Sequence, residues 1–105
     1  PTFHKWKGKA CRGFMLHVLD TNLYQPFFTS IALLKTVMDI HGESFEWKNP
    51  PYEYEYNKKP IDIIVGDSSL RRDLESGAPL SRIKENLRAD LSSFLRWREP
   101  YLLYS

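Results

Sequence analysis

The sequence predicts an α+β fold: a small single domain spanning residues 1–105, with a central strand, two to three helices and short edge strands. Three observations carry that expectation. The run from Gly13 to Leu19 is largely apolar at both alternating sets, Phe14/Leu16/Val18 and Met15/His17/Leu19, which suits a strand covered on both faces. Two later stretches repeat apolar residues at spacings of three and four, the mark of amphipathic helices. The stretch PPYEYEY, residues 50–56, starts with two prolines that forbid a helix and then alternates as an extended edge does.

Taken in order, the opening HKWKGKACRG is a basic, glycine-containing turn, and the central strand follows over about 11–19. Pro26 stops the extension, and Thr29 or Ser30 supplies a cap. Ile31, Leu34, Val37, Met38 and His41 then recur at helical spacing until Gly42 offers a stop. Residues 43–60 hold Phe45, Trp47 and the tyrosine stretch, and read as a long ordered loop or a short edge strand. If the stretch is extended, Tyr52, Tyr54 and Tyr56 share one side while Glu53 and Glu55 share the other.

In PIDIIVGD the proline opens a single helical turn that Gly66 ends. Asp67 or Ser68 caps the following SSLRRDLES, with Leu70 and Leu74 inward and Gly77 beyond it. Ser81 caps the last helix, where Ile83, Leu87, Leu91, Phe94 and Leu95 form one stripe until Pro100 breaks it. The closing YLLY is predicted to be another short strand. A chain of this length holds one modest core and is expected to bury roughly 65% of the surface its unfolded form exposes.

Composition narrows the function classes. Hydrophobic residues at 42% and charged residues at 27% are ordinary globular values, and no apolar run approaches the roughly 20 residues of a membrane span. A net charge of +2 is too mild to argue for nucleic acid, so no nucleic-acid partner is expected. Cys11 is the single cysteine, which leaves no internal disulfide and no cysteine-based zinc site. His4, His17 and His41 show no metal-binding spacing, and no GxSxG, P-loop, GxGxxG or HExxH is present. No metal, no cofactor and no catalytic residue is therefore assigned. Glu53 and Glu55 invite comparison with a glycosidase carboxylate pair, against which stands the reading of a solvated edge.

Two groups of residues remain as binding candidates. Lys5, Lys7, Lys9 and Arg12 surround Trp6, a mixture of cations and an aromatic face suited to an anionic sugar, a phosphate or a carboxylate. A solvated turn is the competing reading. His17 sits in the predicted strand and Asp20 at its C-terminal end, where strand ends often face ligand clefts. A buried histidine satisfied by backbone is the alternative.

Five segments, PTFHKWKGKACRGF, HVLD, PPYEYEY, PIDIIVGDSSLR and FLRWREPYLLY, together resemble one family, the exo-acting β-N-acetylmuramidases of NamZ type, and the resemblance covers nearly the whole chain. It implies that residues 1–105 are the C-terminal domain of a longer two-domain enzyme whose Rossmann-like N-terminal domain lies outside this chain. The implied activity is release of N-acetylmuramic acid from the non-reducing ends of peptidoglycan fragments, in a cleft between the two domains, in an exported or cell-envelope protein. The family's suspected catalytic Asn and Glu belong to the N-terminal domain, so none is carried onto this chain, which becomes the substrate-side wall. His4, Lys5, Arg12, His17 and Asp20 match the family's pattern and are the expected substrate-binding residues, joined by Tyr54 and Tyr56, whose rings suit the C–H faces of sugars. Tyr52 is expected to pack beneath its loop. The implied partners are muramyl glycans from peptidoglycan and the absent N-terminal domain. Met15, Leu19, Phe28 and Leu87 depart from the family's habit. A non-catalytic peptidoglycan or protein interaction module is the alternative function.

Overall fold

Prolines set the element boundaries of this chain, for which a computed structural model describes residues 1–104. Pro26 opens α1 (Pro26–His41), Pro60 opens α2 (Pro60–Val65), and Pro79 immediately precedes α4 (Leu80–Arg98); the short α3 (Ser69–Glu75) lies between the last two. A residue with no N–H and a fixed φ fits the first turn, where helical N–H groups lack partners in any case. Glycine ends α2: Gly66 takes φ 85°, a left-handed value that costs a residue with a Cβ, and donates its N–H to the Asp62 carbonyl at 3.0 Å. Single 3₁₀ turns follow α1 at Gly42–Ser44 and α4 at Glu99–Tyr101.

The core lies where α1, α3 and the first half of α4 meet. Ile31, Leu70, Leu74, Ala78 and Ile83 are buried there, with Leu34, Met38, Trp47, Val65 and Leu87 packed against them. Arg71 ties α2 to α3: its Nε donates to Asp62 Oδ1 at 2.8 Å and its Nη1 to Glu75 Oε2 at 3.0 Å.

The α+β expectation does not hold. Among the described residues there is no strand; the one β-type pairing is an isolated bridge between Tyr52 and Glu55. A strand exists only where a neighbour takes up its N–H and C=O groups, and residues 11–19 have no such neighbour among the described residues. Their apolar side chains, Phe14, Met15, Leu16, Val18 and Leu19, are all exposed. The closing YLLY is not a strand either: Tyr101 completes the final 3₁₀ turn, Leu102 N–H closes it on the Glu99 carbonyl at 3.2 Å, and Leu102 to Tyr104 are exposed.

Two helix boundaries and the burial of one apolar stripe also differ from expectation. α1 begins at Pro26 rather than beyond Thr29 or Ser30, and Ser30 Oγ donates back to the Pro26 carbonyl at 3.0 Å instead of capping. α4 begins at Leu80 with no side-chain cap from Ser81. Its apolar stripe is buried only at the start: Ile83 is enclosed and Leu87 half-buried, whereas Leu91, Phe94 and Leu95 are exposed. Phe94, Trp97 and Tyr101 form a row of rings, with centroids 6.1 and 5.4 Å apart.

The tyrosine stretch reverses instead of extending. Glu53 has φ 52°, and Tyr52 and Glu55 exchange both backbone hydrogen bonds at 3.0 Å. The three tyrosines therefore do not share a face. Tyr52 is half-buried with the Lys48 ammonium 5.4 Å from its ring centroid, while Tyr54 and Tyr56 stand in solvent.

These departures leave much surface uncovered. The chain exposes 9315 Å², against about 18,000 Å² for an unfolded chain of this mass, so about half is buried rather than roughly 65%. The radius of gyration is 17.2 Å, where a compact domain of this length gives about 13 Å.

Candidate functional site

The N-terminal turn is built by three backbone hydrogen bonds. Lys7 N–H donates to the His4 carbonyl at 3.2 Å, Gly8 N–H to Pro1 at 3.0 Å, and Lys9 N–H to Trp6 at 3.0 Å. His4 (φ 56°) and Trp6 (φ 68°) take left-handed conformations, which cost a non-glycine residue about 1–2 kcal/mol and persist only where surrounding contacts hold them. The coiling carries Lys5 Nζ to 5.4 Å and Lys9 Nζ to 5.3 Å from the Trp6 ring centroid. Trp6 itself is 54% exposed. An open indole face flanked by two ammonium groups can stack on the C–H face of a sugar while a cation meets an anionic substituent.

Of the residues expected to bind substrate, this turn brings together His4, whose ring meets Phe3 edge-on at 4.8 Å, and Lys5. Arg12 is exposed and free of ion pairs among the described residues. His17 is exposed rather than buried. Asp20 shapes a turn: its Oδ1 accepts the Asn22 N–H at 2.8 Å and its carbonyl the Tyr24 N–H at 3.2 Å. Tyr54 and Tyr56 lie on the reversal described above. Among the described residues no hydrogen bond, ion pair or ring contact joins the N-terminal turn to His17, Asp20 or those tyrosines.

Several carboxylates are committed to local structure. Glu55 Oε1 accepts the N–H of Asn57 at 2.7 Å and of Lys58 at 3.3 Å, and these bonds, Asn57's foremost, hold its carboxyl below the usual glutamate range. Asp62 and Glu75 in turn keep the Arg71 guanidinium charged. A hollow of about 380 Å³ beside them is lined by Asp62 and Arg71, whose charges are already paired. Among the described residues no cluster of three or more His, Cys, Asp or Glu could hold a metal, and no helix is long and apolar enough to cross a membrane.

Sequence reasoning missed an open groove of about 530 Å³ between the start of α1 and the middle of α4. Phe27, Phe28, Leu87 and Leu91 line its floor, and Lys84 and Arg88 stand on its rim. The signal was present in the spacing 84, 87, 88, 91, one face of a helix, but the leucines read as core and the cations as solvated. Phe28 and Leu87 meet here.

The family model described as exo-beta-N-acetylmuramidase NamZ, C-terminal, matches residues 1–104. Over 104 residues the chain is 28% identical to the peptidoglycan beta-N-acetylmuramidase NamZ of Bacillus subtilis (strain 168), a match that covers 99% of this chain and 23% of that relative. The chain thus spans about a quarter of the length of the curated relative it matches. No solved structure matches it.

Proposed function

We propose, because this chain belongs to the C-terminal family of NamZ-type exo-β-N-acetylmuramidases, that it is the substrate-side domain of an enzyme that releases N-acetylmuramic acid from the non-reducing ends of peptidoglycan fragments. The observation that carries the reading is the family match over residues 1–104, on a chain covering only 23% of its muramidase relative. Glycoside hydrolysis commonly needs an acid and a base or nucleophile facing one sugar. Here Asp62 and Glu75 are held by Arg71, and Glu55 by backbone N–H groups. By the family resemblance the reacting groups are assigned to the remainder of the enzyme, and this chain binds.

Within that reading, the N-terminal turn supplies a stacking face at Trp6, and the nearby cations supply charge. A muramic sugar carries a lactyl carboxylate that glucosamine lacks, and a cation is the simplest device for telling them apart. Arg12 is assigned that role, because its planar fork can grip a carboxylate at two points. His4, Lys5, His17, Asp20, Tyr54 and Tyr56 are assigned to the same wall of the cleft, with the rest of the enzyme drawing the separate segments around the glycan.

The test has two parts. The full-length enzyme should hydrolyse a chromogenic N-acetylmuramide, and the isolated 105 residues should not; turnover by the isolated chain, abolished by a point change within it, would refute the division of labour. In the full-length enzyme Arg12→Ala should lose roughly 1.5–3 kcal/mol of transition-state binding for the muramic substrate, with residual activity on the glucosamine analogue barely altered. Equal loss on both substrates makes Arg12 structural, and no loss on either removes it from the site.

A further inference from the structure

We infer that the groove between α1 and α4 is a second glycan subsite, which takes an internal muramic unit further along the same strand. This deepens the reading above and rests on it for the identity of the glycan. The groove shares no residue with the N-terminal turn. Its volume of about 530 Å³ falls in the range of small-molecule sites, and its lining divides by chemistry. Phe27, Phe28, Leu87 and Leu91 make an apolar floor, while Lys84 and Arg88, one helical turn apart on α4, supply two positive charges at the edge. No carboxylate lines the groove, and among the described residues neither cation has an ion-pair partner. Lys84 Nζ instead hangs 4.9 Å from the centroid of the Phe28 ring, so its charge sits over the floor.

Unpaired cations above an apolar floor fit an anion with an apolar body. A neutral sugar would leave both charges unanswered, and a purely apolar partner would answer the floor alone. A muramic unit offers a carboxylate beside two methyl groups, from the lactyl ether and the acetamide, which matches cation and floor together. Because muramic units recur along a peptidoglycan strand, a peptide-free strand, whose lactyl carboxyls are not amide-linked and so carry charge, can be held by its end at one site and place a second such unit at another. Two linked contacts then bind more tightly than either alone, provided the strand is long enough to span them.

The experiment is a length series of sulfur-linked, hydrolysis-resistant glycans titrated calorimetrically against the full-length enzyme. Affinity should step up by roughly tenfold or more between the disaccharide and the tetrasaccharide or hexasaccharide, the scale of one charge-assisted contact. The step should vanish in Lys84→Ala/Arg88→Ala, survive in Arg88→Lys, and vanish when the internal lactyl carboxylates are methyl-esterified. A wild-type affinity independent of length overturns the proposal, and so does a step that survives the double substitution. A step indifferent to esterification also overturns it, since the muramic carboxylate is then not what the groove reads. Turnover is scored separately on oxygen-linked substrate: its absence in the wild type refutes the enzymatic reading, while the length step alone decides the groove.

Discussion

Ile83 on α4 is 1% exposed and Leu19 in the N-terminal segment is 96% exposed, although the apolar pattern around each assigns both to a core. The two regions differ in where their backbone hydrogen bonds go. A helix closes its own bonds within four residues, so α4 can form first and then offer Ile83 to Ile31, Leu70 and Leu74. A strand must find its partner elsewhere, and residues 11–19 have none among the described residues. Apolar alternation states that a segment wants cover, and says nothing of whether the cover lies in the same chain.

The sharpest way to break that contrast is at Ile83. Ile83→Ala should destabilise the chain by about 2–5 kcal/mol in urea unfolding, since it removes atoms from the centre of the packed cluster around Ile31, Leu70 and Leu74; a loss under about 1 kcal/mol would show that the cluster does not organise the fold. Phe94 lies further along the same stripe but is 52% exposed. Phe94→Ala should therefore cost about 1 kcal/mol or less in this chain, and a loss of 3 kcal/mol or more would mean that the distal half of α4 is buried after all.

Leu19→Ser sharpens the other side. In the isolated chain it should change stability by no more than about 0.5 kcal/mol, whereas in the longer protein proposed above a clearly larger loss is expected if its remaining part covers this segment. Equal, negligible effects in both would leave Leu19 a solvent-facing residue throughout.

The smallest effect concerns the reversal at Tyr52 to Glu55. The folded state holds the Glu55 carboxyl below its ordinary value, so its contribution is complete above the unfolded value of about 4.3 and fades as pH falls through the lower folded value. The amide resonances of Asn57 and Lys58 should shift together in that acidic window, and Glu55→Gln should abolish the titration. Amides that titrate only at or above pH 4.3 would mean the two bonds do not favour the charged carboxylate.

Local signals were legible where local physics decides the outcome. Pro60 and Gly66 bracket α2, and the inward pair Leu70 and Leu74 of α3 follows from its spacing. Pro26 misled because proline both ends extension and starts helices, and here it occupies the first turn of α1. The unpaired 11–19 segment and the exposed half of α4 were illegible because hydrophobicity does not name its partner. The site was legible in its parts: the basic turn around Trp6 is present, but its coiling depends on left-handed His4 and Trp6, for which the sequence shows no glycine. The groove went unread because its floor is made of residues that, in sequence, look like core.

Trp6, Trp47 and Trp97 stand in three surroundings: beside two ammonium groups, against the core, and in a row of rings on α4. Emission spectroscopy can therefore address the turn separately from the fold. Iodide is drawn to positive charge and caesium repelled by it, so at low ionic strength the Trp6 component should be quenched more steeply by iodide than by caesium, a difference that added inert salt erases. Trp6→Phe should remove that component and leave the Trp47 signal as a separate gauge of folding.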